Sequence, residues 1–334
     1  MNRAPAKGFT LIELMISMVL GLIVVAGVIS VLLANKRTYR TNEGLGQVQE
    51  SARTAFELMA RDIRQSGGNG CDANTRTANV LTAGTEWWQT WFGVRGVDGV
   101  DTDSAVADGT TPGTRVAGTD SIHVQGIDGA GLPLLLHNAA GATLQINAAA
   151  TPFVANDILL ICDFDHAAIF RASAYDAASR TVTHGVMAGT PGNCSSGLGF
   201  PTVCDGASGT IYSFPVNSQI GRIAATDWYV GNNGRPAEGG RSLYRVRLDS
   251  GGILATEEIV SGVTDLQVRY GMNNSDDIVD ATGVAGGDWD DINSIFITLT
   301  ADSGETNVTT DTTENNGRVQ RTFNFLITLR NRVP

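Results

Sequence analysis

The chain has 334 residues, of which 42% are hydrophobic and 17% are charged, and its formal net charge is −11 at pH 7. This acidity argues against broad nucleic-acid binding, because contacts to a phosphate backbone require clustered Lys and Arg side chains. The length suits one large domain or two small ones, and the 40 glycines are typical of a fold with many turns.

The first predicted element is an apolar run from Phe9 to about Ala34 that contains a single charge, Glu13. The run has roughly 26 residues, and a helix needs only ~20 to cross a bilayer. The segment before it carries Arg3 and Lys7, which fits a cytoplasmic leader under the positive-inside rule. The sequence therefore predicts a membrane-spanning helix at the amino terminus.

Glu13 has two interpretations, because a carboxylate inside a membrane helix costs on the order of 2.5–3.5 kcal/mol. Cleavage between Gly8 and Phe9 would leave the apolar run on the mature chain and create an amine four residues from Glu13. Such an amine would attract the carboxylate strongly at low dielectric, within one chain or between neighbours. The alternative is an uncleaved signal anchor whose Glu13 stays hydrated at the cytoplasmic interface.

The helix is predicted to continue beyond the apolar run as an amphipathic segment that ends before Gly67-Gly68-Asn69-Gly70. Apolar residues recur there at spacings of three and four, which predicts one buried stripe. The stripe consists of Leu45, Val48, Ala52, Phe56, Met59 and Ile63. One helix is thus expected from Phe9 to about Ser66, with Gly44 and Gly46 as a joint or a kink.

After Cys71 the pattern changes to short strands separated by Gly-rich turns, which favours an antiparallel sheet over βαβ units. Residues 72–118 are rich in Gly, Asp and Thr and surround an aromatic segment, Trp87–Phe92. The predicted strands are Ser121–Gln125, Ile158–Cys162, Ala168–Ala172, Arg180–Thr183, Thr210–Phe214, Asp227–Val230, Ser242–Leu248, Val263–Tyr270, Ile292–Thr300 and Arg321–Leu329.

The four cysteines are even in number and follow the predicted membrane segment, so disulfides in an oxidising compartment are expected. Cys194 and Cys204 flank a short Gly/Ser/Pro-containing stretch and are the favoured local pair. Cys71 and Cys162 would then form the second bridge, although four cysteines allow three pairings. A zinc site is disfavoured, because the sequence has no CxxC or paired His/Cys spacing.

No catalytic motif is present: the sequence lacks HExxH, GxSxG and P-loop patterns, and its four histidines, at positions 123, 137, 166 and 184, are scattered. Asp163 and Asp165 beside His166 could form a metal or acid–base cluster, or simply the polar end of a strand. The Asp-rich stretch 276–291 could bind Ca²⁺ or be a solvated loop. The aromatic segment Trp87–Phe92 could be a contact patch or core. We predict no catalytic residue, no metal and no cofactor.

The segment Lys7-Gly8-Phe9-Thr10-Leu11-Ile12-Glu13-Leu14 resembles the processing motif of type IV pilins and type II secretion pseudopilins. The resemblance implies that a prepilin peptidase cuts after Gly8 and that the new amino-terminal Phe9 is methylated. It also implies that Glu13 guides docking into a filament through the amine of an adjacent subunit.

Later segments are similar to the PilW minor-pilin family, whose secretion-system relative is the J pseudopilin. They occur in the order 228–230, 242–245, 258–271, 289–300 and 329–332. The resemblance implies a pilin-like α+β fold, in which a long amino-terminal helix packs on a large antiparallel β-sheet domain. The expected organisation is a leader at 1–8, a transmembrane or filament-core helix at 9–34, its amphipathic continuation at 35–70 and a β-rich head at 71–334.

The implied function is that of a non-enzymatic minor pilin that primes a type IV pilus and sits at or near its tip, with roles in adhesion, twitching motility and DNA uptake. The implied partners are other minor pilins, the major pilin, a PilY1-like tip adhesin and the prepilin peptidase. The expected location is the bacterial inner membrane, with the head in the periplasm, and then the cell surface. The alternatives are a J-type pseudopilin of a type II secretion tip complex and, less favoured, a membrane-anchored periplasmic enzyme.

Overall fold

The structure is a computed structural model that describes residues 10–66, 75–82, 84, 86–89, 94–97, 105–273, 277–284, 289, 291–309 and 315–329. The regular elements of these residues are one long helix, α1, sixteen β-strands that divide into two sheets, and a few short 3-10 turns. The predicted α+β architecture, a long apolar helix packed on a large β-sheet domain, is confirmed.

Helix α1 (Leu11–Gln65) has 55 residues, which corresponds to a length of about 82 Å. It begins after the capping residue Thr10 and ends at Ser66, whose N–H donates to the carbonyl of Ile63. The predicted single helix is therefore confirmed. It also runs unbroken through Gly44 and Gly46, and the interpretation of these glycines as a joint or a kink stays a prediction.

The two halves of α1 have different environments. Residues 10–39 are exposed, whereas the second half buries one stripe against the sheets. The buried residues are Gly44, Val48, Ala52, Ala55, Met59, Ala60 and Ile63. Gly44 is close to the head because a Cβ built there would lie 3.2 Å from Ser303 Cβ, while a Cβ at Gly46 would meet nothing within 4 Å. The absence of a side chain at Gly44 thus allows close packing.

The strands are mostly short, and their bounds follow the chain order. They are β1 (Arg76–Asn79), β2 (Val94–Val97), β3 (Ser121–Ile127), β4 (Leu132–Asn138), β5 (Thr143–Ile146), β6 (Ile158–Cys162), β7 (His166–Arg171), β8 (Ala174–Asp176), β9 (Thr181–Thr183), β10 (Gln219–Asn232), β11 (Arg241–Asp249), β12 (Ile253–Ser261), β13 (Val263–Met272), β14 (Ile278–Val279), β15 (Ile292–Asp302) and β16 (Gln320–Thr328).

The larger sheet is organised around β10, a strand of 14 residues. The first part of β10 pairs with β6 and β4, and its second part pairs with β3 and β11. Strands β12 and β2 extend this second part beyond β11 and β3, and β1, β7, β5, β9 and β8 extend the first. The smaller sheet has the order β14-β13-β15-β16. All pairings between these strands are antiparallel except that of β1 with β7.

The main core lies between the second half of α1 and strands from both sheets. Met59 and Ile63 of α1 pack in one cluster with Trp228 of β10, Leu266 of β13 and Ile295 of β15, all fully buried. Burial of one such side chain contributes about 1.5–3 kcal/mol. A second core, built from β1, β4–β7, β9 and the start of β10, includes Leu134, Phe170 and Ile220. The helix is therefore fixed to one end of a head that also has its own core.

Nine of the ten predicted strands correspond to observed ones, and Thr210–Phe214 is wrong. That segment forms no strand; the backbone N–H of Phe214 instead donates to Nδ1 of His137 at 3.0 Å. Seven observed strands were not predicted, namely β1, β2, β4, β5, β8, β12 and β14.

Candidate assembly surface

The exposed half of α1 begins with a capping box in which Thr10 and Glu13 bind each other. Glu13 Oε2 accepts from the backbone N–H of Thr10 at 3.0 Å and from its hydroxyl at 2.9 Å, and the Glu13 N–H donates to Thr10 Oγ1 at 3.3 Å. Glu13 Oε1 accepts no hydrogen bond from the part of the chain that the structure describes. One carboxylate oxygen is therefore held in place, and the other is open to a donor from outside. Gly8 and Phe9 lie outside the described residues.

The remaining surface of this half is apolar and packs against none of the head residues that the structure describes. The large apolar side chains from Leu11 to Leu33 are 49–78% exposed. The helix is long and apolar enough to cross a membrane, judged by length and composition. Exposed apolar surface on this scale marks a site of membrane or protein contact.

The loop 303–309 of the head contacts α1 at the point where the exposed half of the helix ends. Arg40 forms an ion pair with Glu305 at 2.9 Å, and the hydroxyl of Thr41 donates to the carbonyl of Val308 at 3.1 Å. One and a half turns further along, Gln47 Oε1 accepts from the backbone N–H of Gly304 at 3.0 Å. These contacts fix the point at which the helix leaves the head.

Arg318 fixes the loop 303–309 by hydrogen bonds to its backbone carbonyls. Its side chain is buried and donates to four backbone carbonyls, two in the loop (Ser303 and Gly304) and two in the turn after β10 (Pro236 and Ala237). Because a guanidinium presents five N–H donors in a rigid fork, one side chain joins two loops. The base of the head is thus cross-linked by polar contacts, in addition to an apolar cluster in which Val308 of the loop packs with Val48 and Ala52 of α1.

The described cysteines lie in β6 and in the segment between β9 and β10. Cys194 and Cys204, the pair favoured from the sequence, are joined by a disulfide. Cys162 is also disulfide-bonded, and Cys71, its expected partner, lies outside the described residues. The first bridge closes the loop between β9 and β10, where two strand-free segments meet through the hydrogen bond from Gly199 N–H to the carbonyl of Thr210.

The Asp163–His166 segment is the polar turn between β6 and β7. Asp163 Oδ1 accepts from the N–H groups of Asp165 and His166, and Asp163 Oδ2 accepts from the hydroxyl of Tyr212 at 2.6 Å. The His166 ring stacks on Tyr212 with centroids 4.2 Å apart. Within the described residues no group of three His, Cys, Asp or Glu side chains is placed to hold a metal ion. The polar groups of this turn bind one another.

The other two polar or aromatic candidates are only partly described. Trp88 is buried in a core cluster with residues of β6, β7 and β10, whereas residues 90–92 lie outside the described ranges. In the acidic stretch, Asp280 accepts hydrogen bonds from Thr282 and Gly283 and so caps a short turn. Asp276, Asp288 and Asp290 lie outside the described residues.

Both ends of the chain match known families. Residues 3–29 match the family described as "Prokaryotic N-terminal methylation motif", and residues 227–331 match "Type IV Pilus-assembly protein W". The resemblance to the PilW family of type IV minor pilins is confirmed. The second match begins within β10 and includes β12, β15 and β16, three of the strands that contact α1.

One solved structure is also similar, a type IV-like pilin from Thermus thermophilus. It has a TM-score of 0.31 and 9% sequence identity, and the alignment covers 86% of this chain and 98% of the pilin. No curated protein matches the chain. The family matches point to a structural, non-enzymatic protein that associates with other pilus components. They and the apolar helix are consistent with membrane anchoring.

The pilin-like head also contains a buried histidine pair, between β4 and the segment after β9. Sequence patterns did not indicate this pair. His137 and His184 approach with their Nε2 atoms 3.2 Å apart. Because His137 Nδ1 accepts the N–H of Phe214, the proton of neutral His137 is on Nε2 and is donated to His184 Nε2. Burial lowers the pKa of His137 to about 4 and that of His184 to about 3. Both rings are therefore neutral at physiological pH.

A second buried polar group lies on β10 and its neighbour β3. Asp227 is fully buried, and its Oδ1 is 3.4 Å from Nε2 of His123 on β3. Burial raises the pKa of Asp227 to about 8, against the opposing influence of Arg115 and Ser121. Arg115 is itself buried and donates to Asp108 Oδ1 at 2.8 Å and to the carbonyl of Thr119 at 2.9 Å. This cluster joins the loop 108–119 to the sheet.

Proposed function

We propose that this chain is a minor pilin that primes the assembly of a type IV pilus and is incorporated at or near its tip. The observation that carries the proposal is the division of α1. Its apolar first half projects from the head with every side chain exposed, while its second half is buried against the PilW-like strands. A soluble protein would leave this apolar half in water, whereas a pilin places it first in the membrane and then among the helices of a filament.

The amino-terminal processing is part of the proposal. Cleavage after Gly8 and methylation of Phe9 would place the new amine directly before Thr10, at the start of α1. The Glu13 carboxylate would then bind the amine of an adjacent subunit. The capping box supports this role because it leaves Glu13 Oε1 open while Thr10 holds Oε2. A docking carboxylate that is already oriented loses less conformational freedom on binding.

The large size of the head supports a subunit that is present in few copies per pilus. The head consists of two sheets, a core that both sheets share with the second half of α1, and a second core within the larger sheet. A head of this size suits a subunit that need not repeat closely along a shaft. The proposed partners are the other minor pilins, the major pilin and a PilY1-like adhesin. The head would lie in the periplasm before assembly and on the cell surface afterwards.

The experiment that tests this function is affinity purification of the tagged chain from crosslinked cells, combined with a deletion strain. We expect other minor pilins to co-purify, and we expect the deletion strain to lose surface pili and twitching while protein secretion stays normal. Co-purification with secretion-system pseudopilins, together with loss of secretion and normal piliation, would replace this proposal with the J-type pseudopilin.

A further inference from the structure

We propose that Lys36 and Arg37 bind the phosphate groups of membrane phospholipids and so seat the head on the bilayer surface before assembly. The inference rests on the proposed function in one respect, that the apolar half of α1 lies in a membrane. It adds an interaction surface and a class of partner, anionic phospholipid headgroups, which the pilin-like fold does not by itself assign.

The lengths along α1 carry the first step. Leu11–Ala34 extends over about 36 Å of helix, and the hydrocarbon layer is about 30 Å thick, so this segment fills the layer with some tilt. The next five residues, 35–39, extend over about 7.5 Å before the head begins. Each headgroup layer is about 5–7 Å thick. Residues 35–39 therefore lie at the depth of the lipid phosphates.

The contacts of the head locate its lower edge at the end of this segment. Arg40 is paired with Glu305, and Thr41 is bonded to the carbonyl of Val308. Lys36 lies one helical turn before Arg40 and on the same side of α1, because residues four apart share a face. With the apolar segment in the bilayer, the loop 303–309 consequently rests close above the membrane surface, and Lys36 lies beneath it.

The side chains of residues 35–39 suit the layer of lipid phosphate groups. Lys36 and Arg37 are exposed, and their side chains form no ion pair or hydrogen bond with any residue that the structure describes. This distinguishes them from Arg40 and Arg53 on the same helix, which are paired with Glu305 and Glu57. Tyr39 is 68% exposed, and Tyr is enriched where membranes meet water. Two unpaired cations beside an interfacial tyrosine fit an anionic headgroup.

The test uses the full-length chain reconstituted in phosphatidylcholine vesicles that contain spin-labelled phosphatidylglycerol or spin-labelled phosphatidylcholine. Electron paramagnetic resonance then gives the selectivity of the protein boundary for the anionic lipid. One basic side chain near a membrane surface favours anionic lipid by about fivefold. We expect at least about fivefold selectivity for the wild type, and a decrease when NaCl is raised to shorten the screening length.

The decisive variant is K36Q/R37Q, because Gln keeps the helix propensity and removes both charges. Its selectivity is expected to fall to about one. The matched control is R61Q/R64Q, which removes two exposed charges near the carboxyl end of α1, about 40 Å along the helix from Ala34, and should keep the wild-type selectivity. Equal selectivity in the wild type and K36Q/R37Q would overturn the inference and leave the proposed function standing. A chain that does not insert into the vesicles would contradict the membrane stage of the proposed function itself.

Discussion

Glu13 and Thr10 form a closed pair at the start of α1: the backbone N–H and the hydroxyl of Thr10 both donate to Glu13 Oε2, at 3.0 and 2.9 Å. The pair explains how a carboxylate can be retained at the start of an apolar helix. Two hydrogen bonds offset part of its desolvation, and Oε1 remains open for a third donor. In the proposed filament that donor is the amine of an adjacent subunit.

The charge of Glu13 is therefore expected to matter for assembly and not for processing. Glu13→Gln keeps a hydrogen-bond acceptor but removes the attraction to an amine, and Glu13→Ala removes both. We predict that both variants lose their leader normally but appear in sheared pili at no more than about a tenth of the wild-type level, equivalent to about 1.4 kcal/mol. Quantitative immunoblotting of pili and membranes measures both properties.

The control for Glu13 is Glu43→Gln, which removes another exposed carboxylate of α1 outside the apolar segment. It should be incorporated normally. Wild-type incorporation of Glu13→Gln would show that the charge of Glu13 does not guide docking.

Gly44 and Gly46 lie on the same helix and are expected to respond differently to substitution. Gly46 faces open space, so Gly46→Ala should stabilise the protein by about 0.5–1 kcal/mol through helix propensity. A larger side chain at Gly44 would push Ser303 and Val308 away, so Gly44→Leu should destabilise the protein by about 1–3 kcal/mol. Thermal unfolding in detergent, followed by tryptophan fluorescence, measures both. A stabilising Gly44→Leu would mean that the loop 303–309 does not pack against α1 in solution.

Among the contacts of the loop 303–309, those of the buried Arg318 are expected to contribute most to the stability of the head. Arg318→Ala removes the guanidinium donor from four backbone carbonyls, two on each loop, of which that of Pro236 keeps the N–H of Gly239 as a donor. We predict a loss of about 2–4 kcal/mol in the free energy of unfolding. Arg321→Ala, at an exposed position three residues later, should change it by less than about 0.5 kcal/mol. Similar small effects in urea unfolding of both variants would contradict the structural role of Arg318.

The buried histidine pair predicts how stability depends on pH. The pKa values of His137 and His184 are lower in the folded protein, at about 4 and about 3, than the ordinary value of 6.5. The unfolded chain therefore binds more protons below pH 6.5, and the free energy of unfolding falls as the pH falls through that window. Each histidine contributes about 1.6 kcal/mol, so we predict that the pair lowers the free energy of unfolding by about 3 kcal/mol between pH 6.5 and pH 5.

Variants of the pair isolate this contribution from that of other titrating groups. His137→Gln keeps an acceptor for the Phe214 N–H but does not titrate, so it should remove about half of the loss between pH 6.5 and pH 5. His184→Gln should behave similarly. Asp227, with its pKa raised to about 8, changes stability in the opposite direction, since the unfolding free energy falls as the pH rises towards 8. An unchanged pH slope in both histidine variants would contradict the pairing.

The sequence predicted those parts of the fold that have a strong local pattern. The stripe of α1 repeats every three to four residues, and β13 alternates Leu266, Val268 and Tyr270 with polar neighbours, so both were recognised. Strands such as β1, β5, β8 and β14 have only two to four residues and show no period. Thr210–Phe214 has strand-forming residues but no partner strand, which a local pattern does not reveal.

The same limit applies to the contacts around the site. The amino-terminal motif is contiguous, so Gly8, Phe9 and Glu13 were found from sequence, and their roles remain predictions. The histidine pair joins residues 47 positions apart, and Arg318 reaches carbonyls 14 to 82 positions away. Such pairs depend on the arrangement of the strands, and no spacing rule in the sequence indicates them.

The measurement that tests the central claim most directly is mass spectrometry of pili sheared from cells that express the chain at its natural level. We predict a low-abundance mature form that begins at a methylated Phe9 and is absent from a Gly8→Val strain. Sheared pili that lack the chain, while the membrane retains a form beginning at Met1, would contradict its assignment as a minor pilin.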